Sequence, residues 1–239
     1  MLHRPPPDDR RVRRRLYPPR AGLRLSGGPG RAVGLLARHI PAFPASVLGP
    51  FATEAPWALT AAAEEIVRRL LDRLGADFAV AESVAVHRTA RVEPGAMLKG
   101  PLVVGPRCFV GHGATLRGGA WLEEACTIGP GSELKASFLF AGTALAHFNF
   151  VGESVLGRGV NLEAGAVIAN HRNEWPGATV AFRHDGALIE TGCTKFGALV
   201  GDGARLGANA VVAPGAILAP GTVVPRLGLV DRGVAPDLR

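Results

Sequence analysis

The sequence predicts an all-β solenoid, a parallel β-helix of six-residue repeats with an N-terminal helix and one inserted hairpin loop. Three observations carry this. From Val86 to Leu134 an aliphatic residue returns at every sixth position: Val86, Val92, Leu98, Val104, Val110, Leu116, Leu122, Ile128 and Leu134. The residue two places earlier repeats with it and is usually small: Val84, Ala90, Ala96, Leu102, Cys108, Ala114, Ala120, Cys126 and Ser132. After a break the same pair of positions returns as Val200, Leu206, Val212, Leu218 and Val224 with Ala198, Ala204, Ala210, Ala216 and Thr222. A helix needs a period near 3.6 and a simple strand needs 2, so neither fits. Six is the solenoid period: three short strands make one triangular coil of about 18 residues, and coils stack about 4.8 Å apart through parallel hydrogen bonds. Both repeated positions face a narrow interior, which explains the small residue beside each aliphatic one.

The elements follow in order along the 239 residues, a length that suits one domain with a sizeable core. Residues 1–40 carry ten arginines against Asp8 and Asp9, which concentrates the formal charge of +7 in this segment and leaves the remainder near neutral. The basic charge is therefore not spread over a folded face, and nucleic acid is not an expected partner. With Pro5–Pro7 and Gly27–Gly30 the segment reads as a basic, disordered tail. Residues 41–79 read as an irregular, proline-punctuated stretch followed by one helix. Thr60 is its expected N-cap, Ile66, Leu70, Leu71 and Leu74 form its apolar stripe, and Gly75 ends it. Its expected place is over the end of the solenoid.

The β-helix is expected over residues 80–230. The six-residue phase is lost through Phe138–Phe150 and restarts as Val151, Leu156, Leu162 and Ile168. Residues 170–194 are too long for a coil corner. Within them Thr179–Arg183 and Ala187–Thr191 flank Asp185-Gly186, a two-residue hairpin turn. Insertions in solenoids gather on the binding face, so this loop is read as part of a site. Residues 231–239 read as a C-terminal tail. Cys108, Cys126 and Cys193 lack metal-ligand spacing, and the first two are expected as buried small hydrophobes. No stretch approaches the roughly 18 apolar residues of a membrane span, and a cytoplasmic location is the default.

Lys99, Arg117 and Lys135 are spaced so that each lies one coil above the last, and each follows an inward aliphatic residue. They should project as a stack of cations. Unit charges about 5 Å apart repel by roughly 1–3 kcal/mol at dielectrics between water and a protein surface. An anion between them would remove that cost, so phosphate or carboxylate binding is expected at Arg117 and Lys135.

At the phase break the sequence runs Ala146-His147-Phe148-Asn149-Phe150-Val151-Gly152-Glu153-Ser154, then Gly159-Val160-Asn161-Leu162-Glu163-Ala164-Gly165 and Ala169-Asn170. This resembles the acetyltransferase domain of the bifunctional N-acetylglucosamine-1-phosphate uridyltransferases and of archaeal sugar-1-phosphate nucleotidylyltransferase/acetyltransferases, within the hexapeptide-repeat (LpxA-like) acyltransferases. The resemblance covers roughly residues 80–224. It implies a left-handed β-helix, a homotrimer, acetyl-CoA as acyl donor in the cleft between neighbours, and a sugar-phosphate or nucleotide-sugar acceptor. It places His147 as the general base. Arg117 and Lys135 fall on the residues that hold the acceptor phosphate, and Phe150, Asn161 and Asn170 on further acceptor contacts. Ala164, with His171 and Lys195, is expected on the donor side. No metal is implied. Two residues depart from the pattern: Phe150 replaces a tyrosine and Glu163 a glycine.

The expected chemistry is CoA-dependent acylation of an amino group on a phosphorylated or nucleotide-linked sugar, which needs a base for the amine proton and a donor for the thioester oxyanion. The alternative is a non-catalytic module that binds sugar phosphates or sugar nucleotides on the same fold. A zinc carbonic anhydrase of this architecture would need a close histidine pair that the seven histidines do not provide.

Overall fold

The computed structural model describes residues 34–238. Successive short strands fall on three parallel sheets, each strand pairing with the one a full coil earlier. Face one holds Val84–His87, Leu102–Val104, Ala120–Leu122, Phe138–Leu139, Val155–Leu156, Ala198–Val200 and Ala216–Leu218, with Phe78–Ala81 added antiparallel at its start. Face two runs from Arg91–Val92 to Val223–Val224, and face three from Met97–Leu98 to Leu229–Val230. The architecture is the left-handed β-helix expected of the six-residue repeat. Its interior is the stack of repeated residues, from Leu102 and Val104 up to Leu218 and Val224, all buried. Cys108 and Cys126 sit in that stack as small apolar fillers, and burial pushes the Cys126 thiol well above the ordinary range.

The phase is not lost between Phe138 and Phe150. Leu139 and Leu145 are fully buried and continue the inward row to Val151. What changes is the corner between face three and face one, in two successive coils. Thr115 pairs with Glu133 eighteen positions on, whereas Glu133 pairs with Phe150 and Trp121 with Phe138, seventeen on. The steps Leu134 to Leu139 and Val151 to Leu156 are thus five residues long. The shortened corners place Ala136 at φ 46° and Glu153 at φ 37°, left-handed conformations that residues with a Cβ rarely adopt.

A second core lies outside the solenoid. On face one the outward residues are themselves apolar: Ala85, Val103, Trp121, Phe138, Val155 and Leu199. Helices α1 (Leu35–His39), α2 (Pro56–Ala61) and α3 (Ala63–Leu71) cover them, burying Leu35, Leu36, Leu59, Ile66 and Val67. The helical segment therefore covers a side of the β-helix and not its end, because the large apolar surface to be removed from water is on that side. Thr60 is not an N-cap: it lies within α2, and its hydroxyl donates to the Trp57 carbonyl. Likewise the packed chain begins before residue 41, since α1 is buried in this core. The expectation of disorder for the basic tail falls on residues 1–33, outside the described residues.

The insertion forms the expected hairpin, Ala181–His184 paired with Ala187–Glu190 around Asp185-Gly186. Its body is structural, because Phe182 and Ile189 join the second core, with Trp57 edge-on to Phe182 and Phe196. Residues 231–238 are not a loose tail either. Asp231 accepts from buried Arg172, Gly233 bridges to Phe182 and Val234 is buried. Among the described residues no helix is long and apolar enough to cross a membrane.

Candidate active site

Face three carries the sequence-predicted residues on its two edges. At the edge it shares with face one, Arg117 and Lys135 are direct register partners, as the spacing requires. Each cation has its own carboxylate. Arg117 donates from Nε to Glu133 at 2.7 Å, and Lys135 Nζ lies 2.5 Å from Glu153. Glu153 is buried beside the lysine and also accepts from the Asn170 side-chain amide. Gly152 makes this approach possible, because a Cβ there would lie 2.6 Å from Asn170 Nδ2. Repulsion along the ladder is thus relieved by Glu133 and Glu153 within the chain, where a bound anion had been expected to relieve it. Lys99 stands exposed at the end of the stack.

At the opposite edge, shared with face two, His147 is the second residue of a corner, exposed and followed by Phe148, which is 72% exposed. The corners stack through backbone bonds, with Gly165 N–H donating to His147 O and Asn209 N–H to Ala164 O. On this edge the corner amides of His112 and Ala208 are capped by the Glu93 and Glu163 carboxylates. The equivalent caps below His147 and Ala164 are missing because Gly129 and Ala146 stand in those places. Among the described residues the His147 and Ala164 N–H groups have no protein acceptor. Asn149 fixes their spacing from inside. Its side-chain amide donates to Glu163 O at 2.7 Å and Ala166 O at 3.1 Å, tying the His147 corner to the Ala164 corner. Glu163, the residue out of pattern, also takes Arg226 in a two-point ion pair that holds its carboxyl below the usual range.

The sequence-predicted residues therefore divide into two groups. Phe150 lies outward on face three, Asn161 is exposed on face two, and Ala164 sits one coil above His147. His171 and Lys195 are not with Ala164: they lie with Asn170 at the other edge, where the ends of the insertion meet. There an open cleft of about 670 Å³ is lined by Lys135, Glu153, Lys195, Thr194 and residues of α2 and α3. His147 precedes Gly152, the register partner of Lys135, by five residues, so the two Cα atoms lie within about 22 Å, at most about 17 Å along the chain and about 4.8 Å between coils. Asn149, Glu133 and Glu153 were not found from sequence. Asn149 had a visible signal, a polar residue at the small inward position.

Among curated proteins, the chain is 32% identical over 133 residues to the bifunctional protein GlmU of Nitratidesulfovibrio vulgaris (strain DSM 19637 / Miyazaki F), covering 54% of this chain and 28% of that one. It is 35% identical over 88 residues to the bifunctional protein GlmU of Carboxydothermus hydrogenoformans, covering 36% and 19%. The chain is similar in its repeat region to the hexapeptide-repeat acyltransferases. It spans less than a third of the length of these relatives of the family. A hexapeptide transferase family protein of Anaplasma phagocytophilum is similar in structure at TM-score 0.40 and 14% identity, over 64% of this chain and 81% of that one. No family model matches the chain.

Proposed function

We propose that the chain is a CoA-dependent acyltransferase that acetylates the amino group of a phosphorylated sugar, with His147 as general base. The observation that carries this reading is the paired arrangement on face three: an open imidazole beside two uncapped backbone amides on one edge, and the Arg117–Lys135 ladder on the other. The acceptor lies across the face with its phosphate at the ladder and its amine toward His147, passing over Phe150 and within reach of Asn170. The donor runs along the corner row above His147, where Ala164 and Ala208 leave the surface low.

In the reaction the amine nitrogen attacks the thioester carbonyl as His147 takes its proton, a role a neutral imidazole fills near pH 7. The carbonyl oxygen becomes an oxyanion, and the Ala164 N–H donates to it. Collapse of the tetrahedral species breaks the C–S bond, and the departing thiolate recovers the proton from His147. The products are an amide and free CoA. Neighbouring copies close over face three in a homotrimer, which supplies the walls the exposed edge of a single chain lacks. Glu163 and Phe150 change the surroundings of both substrates without touching His147.

The test is thiol release from acetyl-CoA with a panel of amino-sugar phosphates and sugar nucleotides, wild type against His147→Ala. A fall of at least about a hundredfold with an unchanged circular dichroism spectrum is expected. Binding of an acceptor with no turnover in the wild type would instead favour a non-catalytic binding module.

A further inference from the structure

Asn149 stands in the inward row of the His147 corner, where the register puts Ala114 two coils below, Ala166 one above and Ala210 two above. Alanine therefore satisfies the packing of this row. Asn149 is buried, and its Oδ1 has no partner among the described residues. Packing alone does not explain an amide here, because a buried oxygen without a donor is destabilising and alanine would bring none. What explains it is the grip of the other end of the side chain.

Nδ2 donates to Glu163 O at 2.7 Å and to Ala166 O at 3.1 Å. Both partners are carbonyls, which only accept, so the amide has one possible orientation. Glu163 O belongs to the same peptide unit as the Ala164 N–H. That unit is planar and trans, with its oxygen and its hydrogen on opposite sides. Drawing the carbonyl into the solenoid therefore turns the Ala164 N–H out onto the surface, where it has no acceptor among the described residues. The corner's own turn bond, from Ala166 N–H to Glu163 O, is longer at 3.2 Å, so the asparagine is the tighter of the carbonyl's two partners. Two donors on the carbonyl polarise the peptide unit and make its N–H a stronger donor. The backbone of Asn149 is held from the coil below. Its N–H donates to Ser132 Oγ at 3.2 Å, and its carbonyl accepts from Glu133 N–H at 2.7 Å. His147 lies two residues before it in the same corner, so one side chain sets the Ala164 amide relative to the imidazole.

We infer that Asn149 is a positioning residue for acyl transfer, which aims and strengthens the Ala164 N–H toward the thioester oxyanion. This rests on the proposed role of that N–H.

The experiment compares the full-length wild type with Asn149→Ala, using acetyl-CoA labelled isotopically at its carbonyl carbon. Infrared difference spectra read the bound thioester carbonyl, calorimetry reads the affinities for acetyl-CoA and CoA, and turnover is followed with the panel of amino-sugar phosphates and sugar nucleotides. In the wild type the carbonyl band should move to lower frequency on binding, and in the variant it should lie near its free position. The variant's kcat should fall about ten- to hundredfold, while both KM values and the CoA affinity stay within about twofold. Should no acceptor in the panel turn over, the band alone decides. A variant whose band and kcat match the wild type overturns the inference while the proposed function stands. A loss of CoA affinity in step with kcat also overturns it, since that is the behaviour of a merely structural asparagine. A wild-type band that does not move on binding removes the Ala164 N–H as oxyanion donor, and the inference with it. If the wild type does not bind acetyl-CoA, the proposed function itself fails and the inference falls with it.

Discussion

Glu153 concentrates several pressures on one residue. It sits at a five-residue corner with positive φ, is buried, and its carboxylate joins Lys135 to Asn170. A non-glycine residue in that conformation costs about 1–3 kcal/mol and persists where its surroundings fix it, which is common at functional sites. Its neighbour Gly152 offers a cleaner probe. An added Cβ would lie 2.6, 2.8 and 3.0 Å from Nδ2, Cγ and Cβ of Asn170, so Gly152→Ala should displace the Asn170 side chain from Glu153 at a modest cost in stability. Loss of one acceptor hydrogen bond should raise the acceptor KM about three- to tenfold with kcat less affected. Steady-state kinetics against both substrates checks this; an unchanged KM would remove Asn170 from the acceptor site. At this scale the sequence made Arg117 and Lys135 visible, because fixed spacing and charge are one-dimensional properties, while His147 stood out only through the family resemblance. The carboxylates that neutralise the ladder were hidden, because Glu133 and Glu153 reach their partners only through the register of neighbouring coils.

Among the elements, the docking of α3 on the solenoid depends on Gly118-Gly119. Replacing Gly119 with Ala puts a Cβ against the backbone of Ala63 and Glu64, atoms that cannot yield without moving the helix. Gly119→Ala should therefore destabilise the chain by about 1–3 kcal/mol, read as a lower midpoint in urea. The hairpin depends on a different joint. Its tip meets α1 where the His39 and His184 rings lie 6.3 Å apart, with Arg38 and Asp185 in an ion pair beside them. Burial is the main cause that lowers the His39 pKa, with its bond to the Leu35 carbonyl opposing and Arg38 and His184 adding to the fall. Since the undocked state binds the proton more readily, docking is fully stable above the ordinary histidine range and weakens as pH falls through it. The slope is at most about 1.4 kcal/mol per pH unit for one proton. Amide exchange across Ala181–Glu190 should quicken between pH 7.5 and 5.5, and His39→Gln should flatten that response. The hairpin was legible because Asp185-Gly186 between alternating runs is a local signal. That its body would be packed into a core was not, since the partners, Trp57 and Phe196, are distant in sequence.

For the whole molecule, the distribution of apolar surface decides how copies meet. Face one is already covered by the chain's own helices, whereas Val211, Val223, Leu227 and Leu229 remain exposed on faces two and three and their shared edge. The proposed homotrimer should therefore form through those two faces. Light scattering at micromolar concentration should give three copies, and Leu227→Glu with Leu229→Glu should yield monomers with reduced acyl transfer. A wild-type monomer with full activity would exclude an intersubunit site. The sequence by itself determined the coil, because a parallel solenoid repeats the same inward contact and so writes its period along the chain. It also determined the cation ladder, since coil stacking turns sequence spacing into vertical distance. Only the tertiary structure decided what covers face one, that Leu134 to Leu139 is a five-residue step like Val151 to Leu156, and that Lys195 shares a cleft with Lys135 away from Ala164. Those facts depend on where non-repeating segments come to rest, and that is set by burial of distant apolar surfaces against one another, which leaves no period to read.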